Sequence, residues 1–388
     1  MTATLLAAGD PLLDGDIDLV TVAIVIGKTV FTFAVLLLSV LLMIWFERKV
    51  IADMQNRIGP NRAGPWGILQ TMADGIKFFF KEDLIPERSN RFVFKLAPYL
   101  STVPAFLSFA IVPLGGTIEI ASRETRLQLA DPPIGILFLL AMSSVAVYGV
   151  MLAGWSSGSK YPLLGSVRAS AQMVSYEAAL GLSVATIVLV TGSLYTSDIV
   201  VSQSGNLADW NLLRLGIVPF FLFLVAATAE LNRPPFDLVE AEQELVGGFH
   251  TEYSSIRFAL FFLAEFMNTV TMSAVIVTLF LGGPTIPWDV PFFTDVSPFW
   301  FFLKVLAFLF TYVWFRATLP RLRYDQLMDL GWKVMIPLAL GWLLVIAAIQ
   351  LERWYLFVAF PALVVSAALL ARSLQLGRAS VLEEDLHG

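Results

Sequence analysis

Acidic side chains are concentrated between residues 230 and 252, in a segment that separates two strongly apolar stretches of the sequence. If the residues after Pro235 form a helix, Asp237, Glu240 and Glu244 have the spacing i, i+3 and i+7 and share one face. Crowded carboxylates in surroundings poor in water have raised pKa values, so they hold protons near neutral pH and titrate as a coupled set. The pattern indicates a proton-handling site, although an exposed acidic loop would carry the same residues.

Ionisable side chains also occur inside the apolar stretches. Glu177 and Glu265 each lie about 14 Å from the nearest predicted helix end, at 1.5 Å per residue. An unpaired acid at that depth in a membrane is costly, so we predict that both face a polar cavity or a partner. Lys28 and Lys304 lie nearer to helix ends, where a long side chain can reach the surface, and we expect structural roles for them.

The segment from Glu47 to Phe80 combines basic and aromatic residues. Its Gly59-Pro60 step predicts a turn, and the apolar residues from Trp66 to Phe80 have helical spacing, which predicts an amphipathic helix in the membrane interface. A basic anchor for lipid headgroups would have this composition. Asp74 argues for a binding site, because it falls near the apolar stripe of the helix rather than opposite it.

The composition identifies the elements that must position these residues. Hydrophobic residues make up 57% of the 388 residues and charged residues 14%, whereas a soluble chain has about 25% charged residues. We therefore predict an all-α polytopic membrane protein that forms a single membrane domain over residues 1–388. A bilayer core needs about 20 mainly apolar residues per span, and about nine segments qualify. The predicted spans are 20–46, 92–114, 133–155, 167–190, 215–231, 256–281, 298–315, 334–351 and 354–370.

The loops between these spans predict the orientation. Lys and Arg are far more frequent in the loops of one side, which the positive-inside rule makes cytoplasmic, so the N-terminus is expected outside. The outer loops 192–211 and 282–297 have the composition of simple connectors. The first span is too long for a signal peptide and has no preceding Lys or Arg, so we expect it to be retained as a helix.

The cofactor chemistry of the chain is limited by its composition. It has no Cys and two His, His250 and His387. Thiolate and imidazole are the usual ligands of Fe–S clusters, haem and zinc, so the chain cannot hold these groups by itself, and we predict no metal site and no redox centre.

Several motifs in order resemble one known family. They are Glu47-Arg48-Lys49, Arg57-Ile58-Gly59-Pro60-Asn61, Ser175-Tyr176-Glu177, the run from Glu230 to Asp237 with its acidic sequel, Glu252-Tyr253, and the run from Arg316 to Met328. They resemble the NuoH-type membrane proteins of respiratory complex I, the NADH:quinone oxidoreductase. The resemblance covers about residues 20–351. The apparent ninth span and the acidic tail, 352–388, exceed the eight spans that are usual in this family.

The resemblance implies a subunit of a proton-pumping NADH:quinone oxidoreductase in a bacterial plasma membrane. Its partners would be other membrane-arm and peripheral-arm subunits, quinone and lipid, with no nucleic acid. FMN, NADH and Fe–S clusters would lie in partner subunits, and quinone would be a substrate rather than a covalently bound cofactor.

The resemblance also assigns residues to two sites. The quinone chamber would be lined or shaped by Glu47, Arg48, Arg57, Arg62, Asp74, Phe78, Phe79 and Arg233. The proton path would use Glu177, Glu230, Asp237, Glu240, Glu242, Glu244, Glu252 and Glu265, and the counter-charges would be Lys160, Arg168 and Arg233.

Other protein classes share some of these features. A proton-coupled secondary transporter also has carboxylates at mid-membrane, but the paired repeats typical of that class are not visible here. A purely structural anchor would leave the buried acids unexplained, and the equivalent subunit of a membrane-bound hydrogenase would bind no quinone. If the chain does bind quinone, a negative charge about 10 Å from a carboxylate interacts with it by about 1.7 kcal/mol at an effective dielectric of about 20. That energy is sufficient to change the protonation of carboxyl groups whose pKa values already lie close to the ambient pH.

Overall fold

The computed structural model describes residues 10–13, 18–238, 246–286, 297–351 and 361 of the chain. In these ranges the chain is mainly α-helical, with one short β-hairpin. The helices are α1 (Leu19–Met54), α2 (Gln70–Phe80), α3 (Arg91–Phe109), α4 (Gly135–Ser156), α5 (Lys160–Thr191), α6 (Thr196–Ser202), α7 (Asn211–Arg214), α8 (Ile217–Glu230), α9 (Ser255–Phe280), α10 (Ser297–Thr318), α11 (Tyr324–Asp329) and α12 (Ile336–Leu351). A π-helical turn, Leu330–Met335, joins α11 to α12.

The predicted all-α polytopic fold is confirmed over the described ranges. Seven helices are long and apolar enough to cross a membrane when α11 through α12 are taken as one, and α8 is a shorter apolar helix. Each of the first eight predicted spans coincides with one of them. The predicted ninth span, 354–370, lies outside the described residues apart from Pro361.

The helices pack around a core in which α3 contacts α4 and α9, and α5 contacts α4, α8 and α12. Tyr176 on α5 is fully buried there, and its hydroxyl donates to the carbonyl of Leu327 at 2.8 Å. Gly331 packs against the Tyr176 ring, so the π-helical turn lies directly against α5. Many large apolar side chains on the outer helix faces are exposed in the isolated chain, as expected for surfaces that contact lipid.

Helix α8 is too short to cross a bilayer alone. Its residues from Ile217 to Glu230 span about 21 Å at 1.5 Å per residue, against a hydrocarbon core of about 30 Å. Non-helical backbone at membrane depth must have its polar groups satisfied by protein. The Gln172 amide nitrogen does this here, because it donates to the carbonyls of Ala229 at 2.7 Å and Phe236 at 2.9 Å.

Two helices on the predicted cytoplasmic side extend beyond their apolar segments. Helix α1 continues to Met54, so Glu47 and Arg48 lie on a helix rather than in the first loop as predicted. Helix α5 already begins at Lys160. Neither extension contains an apolar run, so hydropathy alone did not indicate it. Helical hydrogen bonding can continue into water until a turn sequence ends the helix.

The amphipathic helix is confirmed, but it begins at Gln70 rather than at Trp66. Trp66 and Gly67 both have positive φ, which interrupts the predicted helix. A Cβ atom at Gly67 would lie 2.3 Å from the carbonyl oxygen of Pro60, so the fold of this turn requires glycine there.

The loop between α3 and α4 contains an element that the sequence did not predict. Strands β1 (Thr117–Ile120) and β2 (Arg123–Arg126) form an antiparallel hairpin in which Ile118 pairs with Thr125. Its turn residues, Ala121 and Ser122, both have positive φ. Such turns favour Asn and Gly, so this hairpin lacks the usual sequence signal. In the next outer loop, the predicted simple connector contains the short helices α6 and α7.

Candidate functional site

Two carboxylates border one internal space, which we name the acid cavity. It has a volume of about 60 Å³ and lies between α3, α4, α5, α8, α9 and the turn that precedes α9. Glu230, at the end of α8, and Glu265, in α9, both line it. A second space of about 30 Å³ shares Glu230 and Asn268 with the acid cavity and extends to Ser143 on α4. Glu230 therefore lies where the two spaces meet.

Consecutive serines on α4 bind two of the predicted acids. The Ser143 hydroxyl donates to Oε1 of Glu230, and the Ser144 hydroxyl donates to Oε1 of Glu177 on α5. Because the serines are adjacent in the chain, they hold carboxylates from two different helices near one another. The sequence prediction did not include either serine. A Ser-Ser pair inside a predicted span was the signal that could have found them.

Arg233 lies between the buried carboxylate of Glu47 and the half-buried carboxylate of Glu265. Its Nη1 is 3.1 Å from Oε2 of Glu47 on α1, and its Nε is 3.2 Å from Oε1 of Glu265 on α9. Arg316 on α10 also pairs with Glu47. The guanidinium of Arg233 lies 4.5 Å from the ring centroid of Phe266. Two positive and two negative side chains therefore form one network, in which the formal charges balance.

A larger, mainly apolar space lies between α1, α2 and α9, and we name it the apolar groove. Its volume is about 470 Å³, and Phe78 and Phe79 of α2 contribute to its wall. Arg48 and Asp74 also line it, and their side chains pair at 2.8 Å. This ion pair explains the position of Asp74 near the apolar stripe of the amphipathic helix.

Two neighbouring helices fix α2 at the groove. The Trp45 indole nitrogen on α1 donates to the carbonyl of Trp66 at 3.0 Å. At the other end of α2, the Ser255 hydroxyl lies 3.0 Å from the carbonyl of Phe78 and 2.8 Å from that of Lys81. The groove is therefore held open by contacts to both α1 and α9.

Helix α9 separates the apolar groove from the acid cavity. Phe258 and Phe262, one helical turn apart, line both spaces. Beside this aromatic wall, Arg233 pairs with Glu47, the chain neighbour of the groove residue Arg48, and with Glu265 in the acid cavity.

The acidic segment after α8 is only partly described. Glu240, Glu242 and Glu244 lie outside the described residues, so the predicted acidic stripe stays a prediction. Asp237 is described in a non-helical segment, is mostly buried, and pairs with Arg321 at 2.8 Å. The loop that carries Arg321 is fixed nearby, because the Leu322 backbone N–H donates to the carbonyl of Pro235 at 3.0 Å.

Glu252 is half-buried beside Tyr253, whose ring stacks on Phe94 with centroids 4.0 Å apart. Burial raises the pKa of Tyr253 to about 12, so its hydroxyl stays protonated and donates to the carbonyl of Phe94 at 3.1 Å. This contact positions the turn that leads into α9.

The remaining predicted residues lie away from both spaces. Arg57, Arg62 and Lys160 are exposed, and Arg168 lies 5.6 Å from the ring centroid of Tyr324. None of the four is among the residues that line the acid cavity or the apolar groove. The roles predicted for them stay predictions.

Comparison with known proteins agrees with the resemblance seen in the sequence motifs. A family model described as NADH dehydrogenase matches residues 27–347. The chain belongs to this NADH dehydrogenase family. A relative from Frankia alni, named as the H subunit of NADH-quinone oxidoreductase, is 53% identical over 339 residues, which cover 85% of this chain and 73% of the relative. Relatives of the same name from Frankia casuarinae and Streptomyces avermitilis are 53% and 50% identical, each over 85% of this chain and over 73% and 74% of their own lengths.

In this member of the NADH dehydrogenase family, both intramembrane lysines have protein partners. Lys28 pairs with Asp10 and donates to the Thr125 hydroxyl at 2.9 Å. Lys304 donates to the carbonyls of Leu281 at 2.8 Å and Gly283 at 3.0 Å, which fixes the loop after α9. These contacts agree with the structural roles expected for both lysines. Among the described residues, no group of three His, Asp or Glu side chains is arranged to hold a metal ion.

Proposed function

We propose that this chain is a membrane subunit of a proton-pumping NADH:quinone oxidoreductase, in which the apolar groove binds quinone and the acid cavity takes up protons. One observation carries the proposal: Arg233 pairs with Glu47, the neighbour of the groove residue Arg48, and with Glu265 of the acid cavity. A change of charge at the groove therefore acts, through one side chain, on the carboxylates of the cavity.

The chemistry of the groove suits a quinone. Its aromatic and aliphatic wall matches an apolar ring and tail, and the Arg48–Asp74 pair offers a donor and an acceptor to the ring oxygens. Quinone becomes quinol by taking up two electrons and two protons. The electrons come from NADH through FMN and Fe–S clusters in partner subunits, because this chain has no Cys to provide thiolate ligands.

The coupling is electrostatic. A negative charge on the partly reduced quinone attracts Arg233 and weakens its interaction with Glu265. At about 10 Å and an effective dielectric of about 20, one charge changes such an interaction by about 1.7 kcal/mol. A carboxylate that loses part of its counter-charge in a buried site gains affinity for a proton. Glu265, Glu230 and Glu177 then pass protons across the helices with the hydroxyls of Ser143 and Ser144.

In the assembled enzyme, the chain lies as a multi-pass subunit in a bacterial plasma membrane. Its neighbours are other membrane-arm subunits, a peripheral arm and lipid. The side that carries most Lys and Arg faces the cytoplasm, where the peripheral arm supplies electrons.

The proton route is tested with the amide variants Glu230→Gln and Glu177→Gln in the assembled complex. Each removes a protonatable group with little change of shape, so quinone-linked proton pumping in vesicles should fall at least about tenfold. Electron transfer from NADH to an artificial acceptor ahead of the quinone should persist and so report intact assembly. Glu124→Gln, on the exposed face of the hairpin, is the matched control. Wild-type pumping in both test variants would refute the proton route.

The quinone site is tested with a photoreactive quinone analogue. We expect crosslinks in α2 near Asp74 and Phe78, and a KM for quinone about tenfold higher in Arg48→Gln, because a hydrogen bond to a charged group is worth about 1.5–3 kcal/mol. Arg214→Gln, exposed in an outer loop, should leave KM unchanged. Crosslinks confined to residues outside the groove would exclude it as the quinone site.

A further inference from the structure

His250 lines the acid cavity and also reaches the protein surface. It lies in the turn Gly248–His250, between α8 and α9, and its side chain is half-buried. It is the one histidine among the described residues, since His387 lies outside them. The motifs that indicated function did not include it.

Two aromatic rings flank the imidazole of His250. Its ring meets Phe249 at 5.0 Å and Phe258 at 5.2 Å between centroids, both nearly edge to face. These two phenylalanines also line the acid cavity. The half-buried imidazole therefore lies between two rings of the cavity wall, at the edge of the cavity.

The titratable groups that line the cavity with His250 are Glu230 from α8 and Glu265 from α9. The other polar lining residues, Ser101, Asn232 and Asn268, carry no charge. On the adjoining elements, Arg257 pairs with Asp83 at 2.9 Å, Arg233 pairs with Glu265, and Glu252 follows His250 in the same loop. The groups able to exchange a proton inside the cavity are therefore the imidazole and the two carboxylates.

We propose that His250 is the proton-entry residue of the acid cavity. Histidine is the side chain best suited to take up and release protons near neutral pH, and its two ring nitrogens can face two environments. One nitrogen of the neutral ring takes a proton from hydronium or a buffer acid in the solvent. The resulting imidazolium gives a proton to a carboxylate of the cavity, which becomes a carboxylic acid, and the ring returns to its neutral form. This inference rests on the function proposed above.

The test uses the assembled complex in vesicles, with the variants His250→Gln and His250→Ala. Without the imidazole, protons must reach the carboxylates directly from hydronium, whose concentration falls tenfold per pH unit. Proton pumping should therefore be close to wild type near pH 6 and about a hundredfold slower near pH 8, in line with the rate gained from a positioned proton-transfer group. Added imidazole should restore the rate of His250→Ala at pH 8, because the truncated side chain leaves space for it.

His387→Gln is the matched control, because it removes the other histidine of the chain. It should pump as wild type does at every pH and show no response to imidazole. Electron transfer to an artificial acceptor ahead of the quinone reports assembly, and if one His250 variant does not assemble, the other carries the test.

Wild-type pumping at pH 8 in the His250 variants would overturn the proposal. A loss that is equal at pH 6 and pH 8, or that imidazole does not restore, would also overturn it, since a structural role predicts that result. If the proposed function itself were wrong, Glu230→Gln would pump protons as wild type does. The Glu230 variant therefore distinguishes failure of the proposed function from failure of the role proposed for His250.

Discussion

At the scale of single residues, the described structure depends on charges that are buried in balanced groups. Arg233 and Glu47 are almost completely buried, and Arg316 and Glu265 complete their network. A buried ion pair adds little stability by itself, because both ions lose their hydration. Removal of one partner is costly, however, since it leaves the other charge buried without compensation.

Substitution of Arg233 tests this balance. Arg233→Gln leaves Glu47 and Glu265 without their shared counter-charge, so the free energy of unfolding in detergent should fall by about 3–5 kcal/mol. Arg323→Gln is the control, because Arg323 is 78% exposed and lies 3.9 Å from Asp325; its effect should be under about 1 kcal/mol.

A double variant separates the network from a general loss of packing. Glu265→Gln removes one of the two carboxylates that Arg233 neutralises, so Arg233→Gln with Glu265→Gln should lose less stability than the sum of the single variants. Strict additivity would contradict the proposed coupling of the two side chains.

At the scale of elements, the outer end of α1 is tied to the hairpin. Asp18 is the N-cap of α1 and accepts a hydrogen bond from the Thr21 backbone N–H at 2.9 Å. Arg123 on β2 pairs with Asp18 at 2.7 Å. The backbone and side-chain hydrogen bonds from Thr21, with the interaction of Arg123, lower the pKa of Asp18 to about 2. The negative charge thus stabilises both the helix end and the position of the hairpin.

This contact predicts a pH dependence of thermal stability. The folded pKa of Asp18 lies below the unfolded value of 3.8, so its contribution is complete above about pH 4 and is lost as the pH falls to about 2. Asp18→Ala should therefore unfold at a lower temperature than wild type at pH 7, and the difference should disappear near pH 2. Scanning calorimetry in detergent measures both. Glu87→Ala, at an exposed position, should show no comparable difference, and a gap between Asp18→Ala and wild type that persists at pH 2 would exclude the ionised cap as its cause.

At the scale of the whole molecule, the distribution of charge predicts one orientation. The loop between α1 and α3 is rich in Lys and Arg and is expected in the cytoplasm, whereas the hairpin between α3 and α4 is expected outside. The chain contains no Cys, so single introduced thiols report on accessibility without background. The groove and the mouth of the acid cavity at His250 belong to the predicted cytoplasmic side.

Thiol labelling tests that orientation. A membrane-impermeant maleimide should label Glu119→Cys, on exposed β1, in intact cells, and should label Arg62→Cys only in inverted vesicles. The reverse pattern would place the groove on the outer side, away from an electron-donating arm in the cytoplasm. Complete labelling of both variants in intact cells would indicate leaky membranes. The wild-type chain, which contains no Cys, measures the background labelling.

The sequence by itself determined the features that depend on local pattern. Apolar length identified the spans, helical spacing identified α2, and the depth of Glu177 and Glu265 in apolar runs marked them for attention. Glu230 and Asp237 stood out because acids rarely occur beside such runs. The positive-φ turns at Gly67 and at Ala121 escaped prediction. The turn at Gly67 depends on a close approach to the carbonyl of Pro60, and the turn at Ala121 lacks the Asn or Gly that usually marks such a hairpin.

Only the tertiary structure decided which of these residues act on one another. Arg233 meets Glu47 across 186 positions of the chain, and the adjacent hydroxyls of Ser143 and Ser144 meet carboxylates from two other helices. Periodicity predicts the face of its own helix on which a side chain lies. Helix packing decides which neighbouring helix that side chain contacts. For that reason the position of the apolar groove beside the acid cavity, and the place of His250 at the edge of that cavity, became visible only in the folded chain.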